Sequence, residues 1–266
     1  MVSADKDKYH HVREFVSKQR EQFYFDARKL QPAENEYVAW IDLMGAGHTM
    51  SVSVSKTANY MARLHMAVDM AAAAAPSAVK LNPINDGVFV TSSSKAAIMS
   101  VVRQVMYSLG GYFISTGAPH DRCLLRASIA FGPVYHGDAI AACLSKTKKA
   151  KHEMTLSRVE FGAPIIQAYH AESDAPPYGV SIHESARAFA PPGEQPFRTT
   201  HWLWWPTMDE IPVPPSVVSL PDLARCLAFE LKSYFDWMRT TAIFHGVKPE
   251  KINEWSARVE QYFSVG

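Results

Sequence analysis

The sequence predicts an α+β fold with a ferredoxin-like core. Across residues 33–190 the apolar pattern has the order strand, helix, hairpin, helix, strand, helix, strand. A helix between sequential strands, with one hairpin in the middle, is typical of the βαββαβ motif, here with extra strands. A chain of 266 residues, 47% of them hydrophobic, is long enough for one sizeable domain with extensions or for two small ones.

The N-terminal segment is predicted to be an amphipathic helix over residues 4–30. Val12, Phe15 and Val16 follow helical spacing, and Phe25 lies further along the same charged and aromatic segment. We therefore place an N-terminal helical extension at residues 1–32.

The first half of the core contains a strand, a helix and a hairpin. Residues 36–45 are apolar and β-prone up to a glycine-rich end, which predicts a strand that runs into a loop. Residues 56–75 are rich in helix formers and are stopped by Pro76. The tripeptide at 85–87, Asn-Asp-Gly, lies between apolar runs and predicts the tight turn of a hairpin.

The second half of the core begins with an amphipathic helix over residues 95–113, for which Gly110 and Gly111 are the predicted C-terminal stop. We expect both core helices to pack on one face of the sheet and to leave the other face free for a ligand or partner. The remaining core elements are a strand over 123–137, a short helix over 162–173 and a strand over 178–186.

The C-terminal part, residues 191–266, is predicted to be a proline-rich connector followed by two helices, at 221–241 and 248–263. The tryptophan-rich stretch at 201–206 is interpreted as core or interface filling rather than as a binding platform. The predicted catalytic domain is therefore 33–190, between the two extensions.

Composition argues against several classes of partner. The formal net charge of +1 gives no field that would steer the chain to nucleic acid or to a membrane surface. The basic run at 146–152 is interpreted as a solvated loop, since it is short and lacks interleaved aromatic residues. Three cysteines without metal-like spacing, no apolar leader and no membrane-length apolar run predict a soluble cytoplasmic protein.

Two aspartates lie where a metal site could form. Asp42 ends the first strand and Asp86 lies at the hairpin tip, and these two places are neighbours in a ferredoxin-like sheet. Two converging carboxylates repel each other unless a cation lies between them, and Mg²⁺ or Mn²⁺ suits such a pair. Taken alone, Asp86 could instead be a turn residue and Asp42 a cap.

A small, glycine-rich stretch, LMGAGH at 43–48, follows Asp42. Such a loop, when it leads into a helix, offers backbone N–H groups to phosphate. Metal-binding carboxylates beside a phosphate-binding loop indicate phosphoryl or nucleotidyl transfer.

Four segments, in order, resemble motifs of the class III nucleotidyl cyclases. WIDLMGAGH resembles the first metal motif of that family, and LNPINDGVFV the second. LRASIAFGPVYHGD is similar to its Arg-x-Gly-Ile-x-x-Gly-Pro-Val strand, and VEFGAPIIQAYHAES to its Asn- and Arg-bearing helix. The resemblance covers about residues 35–190.

The resemblance implies a cyclase that works as a head-to-tail homodimer with active sites in the interface. Asp42 and Asp86 would bind two Mg²⁺ or Mn²⁺ ions, with help from the Leu43 carbonyl. The backbone from Met44 through Gly45 and Ala46 to Gly47 would hold the triphosphate of a nucleotide, whose 3′-oxygen attacks the α-phosphorus.

Departures from the family pattern concern the base and the transition state. Asn82 stands where purine cyclases have a base-reading lysine, and Val159 where they have a second base contact. His170 stands where the family has an arginine, so His170, Arg158 or a lysine of 146–151 is expected to replace it. Tyr60 is a candidate for filling the space beside a smaller base, and its alternative is an ordinary helix-face aromatic.

Altered base contacts with both aspartates present resemble the pyrimidine cyclases of bacterial Pycsar antiphage systems. That resemblance implies a UTP-preferring cyclase that makes cyclic UMP, a second messenger read by a separate effector. Cyclic CMP or a purine product remains open, as does a non-catalytic, cyclase-like domain that senses nucleotide or dimerises.

Overall fold

The structure is a computed structural model that describes residues 9–23, 27–144, 155–156, 158–206, 210–213, 216–241 and 246–264. The chain divides into two compact units. The first contains residues 1–33 and 135–160, and the second contains residues 34–134 and 161–266.

The described helices and strands alternate in much the predicted order. The helices are α1 His10–Phe23, α2 Ala46–Val52, α3 Val54–Ala73, α4 Lys95–Ser115, α5 Gly137–Ala142, α6 Ala163–Ala171, α7 Glu184–Ala188, α8 Leu220–Thr240 and α9 Pro249–Phe263. The strands are β1 Glu34–Met44, β2 Lys80–Ile84, β3 Gly87–Ser92, β4 Leu124–His136, β5 Glu160–Phe161, β6 Val180–Ile182, β7 Glu210–Val213 and β8 Ser216–Ser219. Short 3₁₀ turns lie at Ala27–Lys29, Pro119–Asp121 and Glu172–Asp174.

The sheet of the second unit confirms the predicted ferredoxin-like topology. Its strands have the order β2-β3-β1-β4, each antiparallel to its neighbour, and β6 pairs with β4 in parallel. This order places β1, which carries Asp42, between the β2–β3 hairpin and β4. Asn85 starts the hairpin turn with a φ of 50°, a left-handed conformation that asparagine tolerates better than most residues.

Both long core helices pack on one face of this sheet, as expected. Ile41 of β1, Leu64 of α3 and Val102 of α4 belong to one buried apolar cluster. Side chains alternate between the two faces along a strand, so Ile41 and Leu43 point into this cluster while Asp42 points to the opposite face.

The opposite face is not free, contrary to the sequence-based expectation. Helix α6 lies on it, and Ala168 is buried with Trp40 and Phe89 in a second apolar cluster. The Ser128 hydroxyl of β4 donates a hydrogen bond to the Ala168 carbonyl over 2.5 Å. Small residues on the inner side of α6 let it approach the sheet closely, and this contact leaves only part of the face open.

Gly110 and Gly111 do not end their helix, which continues to Ser115. The prediction of a glycine stop was wrong because α8 crosses α4 here, and a methyl group at Gly110 would lie 3.2 Å from the Leu227 side chain. Gly110 therefore allows two helices to come close together rather than ending one of them.

In the N-terminal segment, where a helix was predicted over 4–30, the described part contains α1, which spans His10–Phe23, and a 3₁₀ turn at Ala27–Lys29. The apolar residues Val12, Phe15 and Val16 of α1 are exposed. Phe25, which the sequence placed on the same helix, lies outside the described residues.

The two C-terminal helices pack as a pair, and α8 also lies along α4. Trp204 and Trp205 are buried, which supports the interpretation of the tryptophan-rich stretch as core filling. Within the part of the chain that the structure describes, no helix has both the length and the apolar character needed to span a membrane. The domain boundaries at residues 32 and 190 remain predictions.

Candidate metal and nucleotide site

The fold brings Asp42 and Asp86 together at one end of the sheet. Asp42 pairs with Gly87 across β1 and β3, so it lies beside the residue that follows Asp86. The Leu43 N–H donates a hydrogen bond to the Asp86 carbonyl over 3.1 Å. This bond ties the end of β1 to the hairpin turn and fixes the backbones of the two aspartates next to each other.

Two residues that sequence reasoning missed complete the charged cluster. Arg126 of β4 lies directly opposite Asp42, on the same face of the sheet. Its guanidinium pairs with Glu172 through two of its three nitrogens: Nη2 donates to Oε1 over 2.7 Å, and Nε forms an ion pair with Oε2. One cation therefore stands among three carboxylates, those of Asp42, Asp86 and Glu172.

Burial and neighbouring carboxylates make ionisation of this cluster unfavourable. Desolvation, followed by the negative charges of Glu172 and Asp86, raises the pKa of Asp42 from 3.8 to about 7, although Arg126 acts in the opposite direction. Burial also raises the pKa of Glu172 above 4.5, against the influence of Arg126. An added cation at this place would relieve the repulsion.

We expect the raised pKa of Asp42 to appear as a loss of stability with rising pH. The folded chain holds a proton on Asp42 between about pH 4 and 7 that the unfolded chain releases, so the free energy of unfolding falls across this window. Urea unfolding in EDTA should show Asp42→Asn stabilised by about 2 kcal/mol at pH 8 and by much less at pH 5.

The exposed Asp69→Asn variant is the control for this titration and should unfold like wild type at both pH values. Equal pH slopes for wild type and Asp42→Asn would contradict the prediction.

The donor set fits a hard divalent cation that keeps other ligands. The described residues contain no group of three or more His, Cys, Asp and Glu side chains able to hold a metal ion unaided. Mg²⁺ and Mn²⁺ are often bound by one or two carboxylates together with water and substrate phosphate oxygens. Asp42 and Asp86 supply that number of carboxylates, and Glu172 is occupied by Arg126.

The loop after Asp42 turns sharply into a short helix. Gly45 has a φ of 76°, in the left-handed region that favours glycine, and it precedes α2. Ala46 is buried, whereas Gly45 and Gly47 are exposed. Gly45 and Gly47 lie three and five residues after Asp42, so the exposed backbone of this loop is close to the aspartate along the chain.

Of the other predicted residues, Asn82 lies on the face of Asp42. Asn82 pairs with Phe89, and Phe89 pairs with Trp40, so these three residues form a row across three strands. The neighbouring row, two residues away along each strand, consists of Ile84, Gly87, Asp42 and Arg126. A base held near Asn82 would therefore lie beside the aspartates.

Tyr60 and His170 are not brought to the aspartates. Tyr60 is buried on the helix-covered face of the sheet, where its hydroxyl donates to the His120 carbonyl over 3.1 Å. The alternative interpretation, a helix-face aromatic, therefore fits it better.

His170 is exposed and lines a separate cavity with His201 and Arg258. The lysines of 146–151 lie outside the described residues, and Arg158 belongs to the other unit.

Gly87 lies at the start of β3, opposite Asp42, at a position where no side chain fits. A methyl group at this position would overlap the indole ring of Trp40, which is buried. We expect Gly87→Ala to lower the free energy of unfolding by about 2 kcal/mol, since the tightly packed ring or the hairpin must shift. Gly117→Ala, where the added methyl meets no atom within 4 Å, is the matched control. Equal urea midpoints for the two variants would refute this expectation.

Comparisons with known proteins give structural neighbours only. No protein-family model and no curated protein matches the chain. Among solved structures, the guanylyl cyclase domain of the RhoGC fusion protein from the aquatic fungus Blastocladiella emersonii matches 58% of this chain and 84% of its own, with 15% identity and a TM-score of 0.43.

Two further structural neighbours have similar scores. A bacterial light-regulated adenylyl cyclase matches 68% of this chain and 56% of its own, with 10% identity and a TM-score of 0.42. A class III adenylyl cyclase-like ATP-binding protein from Pseudomonas aeruginosa matches 64% and 38%, with 16% identity and a TM-score of 0.39. The function proposed below therefore rests on the residues of the site.

Proposed function

We propose that this chain is a metal-dependent nucleotidyl cyclase that converts UTP to cyclic UMP and diphosphate. The observation that carries the proposal is the convergence of Asp42 and Asp86, whose backbones are joined by the Leu43–Asp86 hydrogen bond. Asp42 lies in β1 and Asp86 in the turn between β2 and β3, so a turn preference explains Asp86 alone and does not explain a second carboxylate beside it.

The residues of the chain have separate roles in this reaction. Asp42, Asp86 and the Leu43 carbonyl hold two Mg²⁺ or Mn²⁺ ions, which when bound neutralise phosphate charge and lower the pKa of the 3′-hydroxyl. The backbone from Met44 to Gly47 orients the triphosphate. The 3′-oxygen bonds to the α-phosphorus, the bond from that phosphorus to the β-phosphate oxygen breaks, diphosphate leaves and the hydroxyl proton passes to water.

The pyrimidine preference rests on Asn82. A carboxamide can donate to one base atom and accept from another, whereas the lysine of purine cyclases only donates. Asn82 shares the sheet face of Asp42 in the neighbouring row, which supports a base contact at this position.

We also propose a homodimer. His170 is exposed and does not contact the aspartates of its own chain, so its proposed target is a nucleotide bound at the aspartates of a second copy. The product would be a second messenger of antiviral defence, read by a separate effector.

The test is incubation of the purified chain with UTP, CTP, ATP or GTP and Mn²⁺, followed by chromatography of the products. We expect cyclic UMP in excess over the other cyclic nucleotides. Cyclic CMP or a purine product alone would overturn the base assignment. No cyclic product from any of the four would overturn the enzyme and favour a non-catalytic nucleotide-binding domain.

A further inference from the structure

A cavity of about 350 Å³ lies between the end of β1 and the two C-terminal helices, all within the second unit. Its apolar wall consists of large side chains from β4, from the two C-terminal helices and from the segment before α9: Leu124, Tyr234, Trp237, Met238, Val247 and Trp255. This volume and this aromatic lining are in the range of small-molecule sites. The cavity lies on the face of the sheet that α3 and α4 cover, so it is distinct from the opposite face, to which Asp42 points.

Among the described residues, the charged side chains that line the cavity are Lys56 and Arg122, and none of the lining residues is an aspartate or glutamate. Arg122 is held by Glu230 over 2.9 Å, which leaves Lys56 as the more available cation. Lys56 donates to the His120 carbonyl over 2.7 Å. Its ion pair with Asp121 is loose, at 3.5 Å, and the two side chains are 28% and 49% exposed.

We propose that this cavity binds a small aromatic anion, with its ring between Trp237 and Trp255 and its acidic group toward Lys56. An apolar body matches the wall, and a negative head group matches Lys56, whose described carboxylate partner, Asp121, is 3.5 Å away and does not line the cavity. An uncharged hydrocarbon would leave the Lys56 side of the cavity unused, and a bare phosphate would leave the aromatic wall exposed to water.

Binding at this cavity is coupled to the candidate nucleotide site, a coupling that rests on the proposed function. Leu43, Met44, Gly45 and Ala46 form part of the cavity wall, and the same backbone is proposed to hold the metal and the triphosphate. An occupant therefore restrains this loop, and a nucleotide bound on its other side changes the affinity of the cavity by the same factor.

The binding test uses two fluorescent probes that differ in charge. 1-Anilinonaphthalene-8-sulfonate carries an anionic head, and N-phenyl-1-naphthylamine is its uncharged counterpart. We expect Lys56→Gln to weaken the sulfonate about fivefold and to leave the uncharged probe unchanged, since only the sulfonate makes a charge-assisted hydrogen bond. Val247→Trp, which fills the cavity, should weaken both probes about tenfold or more.

Matched controls lie on the exposed side of α8. Lys232→Gln removes a lysine and Phe229→Ala removes an aromatic ring that is 69% exposed, and neither residue lines the cavity. Both controls should bind the two probes like wild type. If the controls weaken the probes as much as the cavity variants do, or if Lys56→Gln affects both probes equally, the proposal is overturned. The Lys56 comparison remains decisive even if Val247→Trp fails to fold.

The coupling test measures the dissociation constant of the sulfonate with and without UTP and Mn²⁺, for which we expect a change of about threefold or more. Sulfonate binding without cyclic product from any nucleotide would overturn the proposed function but not the proposed anion site. Cyclic product without specific sulfonate binding would overturn the anion site but not the proposed function. Both activities without mutual influence would overturn the coupling.

Discussion

We expect the Mn²⁺-dependent formation of cyclic product that is proposed for this chain to be lost almost completely when either aspartate is replaced with asparagine. Asp42→Asn and Asp86→Asn each remove one of two negative ligands, and nothing else in the cluster replaces it, because Glu172 is occupied by Arg126. Since even loss of a residue that only supports a metal ligand typically costs 10- to 100-fold, we expect turnover to fall by about 100-fold or more. Product formation measured at saturating Mn²⁺ and UTP gives this ratio.

The same variants should remain folded and should keep the oligomeric state of the wild type, which size-exclusion chromatography and circular dichroism report. Asp69→Asn, an exposed carboxylate on α3, is the matched control and should retain full turnover. Retained activity in either Asp42→Asn or Asp86→Asn would show that the two-metal assignment is wrong. Loss of activity together with loss of the fold would call for the comparison at lower temperature, where residual activity would equally refute the assignment.

The sequence predicted the sheet order and the meeting of the aspartates because both follow from local signals. Alternating apolar residues mark β1, and the turn at Asn85 and Asp86 sets the register of the β2–β3 hairpin. Once the ferredoxin-like order is assumed, the end of β1 and the hairpin tip must be neighbours. The proximity of Asp42 and Asp86 therefore required no knowledge of long-range packing.

The predictions that failed depend on contacts between elements that are distant in the sequence. Gly110 resembles a helix stop until α8 is known to cross α4 at that point. The sheet face of Asp42 was expected to be free, because the nine residues of α6 carry no strong signal of what they cover. Tyr60 was named as a candidate beside the base, with an ordinary helix-face aromatic as the alternative, and the packing of α3 buries it with its hydroxyl on the His120 carbonyl.

Arg126 and Glu172 were missed although a signal for them exists. Arg126 is a charged residue in an otherwise apolar strand, and Glu172 follows an apolar helix that contains Pro164. A charge placed in a buried strand needs a partner, so the pair could have been sought from the sequence. Its distance of 46 residues along the chain is what concealed it.

Arg126→Gln is expected to destabilise the protein by about 3 kcal/mol at pH 8. The Arg126 and Glu172 side chains are only 17% and 12% exposed. Removing the arginine leaves Glu172 desolvated beside Asp42 and Asp86 without its ion-pair partner, and breaking one partner of a buried ion pair has a cost of this order. Urea unfolding in EDTA measures the change. Lys251→Gln, which breaks an exposed pair with Glu254, should change stability by less than about 0.5 kcal/mol.

The pH dependence of the Arg126→Gln effect identifies its origin. Because Arg126 lowers the pKa of both Asp42 and Glu172, its loss raises these values further, so more of each carboxyl group is neutral in the folded state at pH 5 than at pH 8. The destabilisation should therefore be smaller at pH 5, where protonation removes the unpaired charge. A loss that is the same at both pH values would indicate that Arg126 acts through packing alone.

The double variant Arg126→Gln/Glu172→Gln distinguishes the contribution of the Arg126–Glu172 ion pair from the repulsion among the three carboxylates. Glu172→Gln alone should cost less than Arg126→Gln, because the freed guanidinium lies opposite Asp42 and can pair with it. In Arg126→Gln/Glu172→Gln the buried charge of Glu172 is gone, so about 2 kcal/mol of the Arg126→Gln loss should be recovered. Losses that simply add would show that the two residues stabilise the fold independently. Recovery would show that Arg126 is needed chiefly because three carboxylates meet at this end of the sheet, which is also the feature on which the proposed divalent-cation site rests.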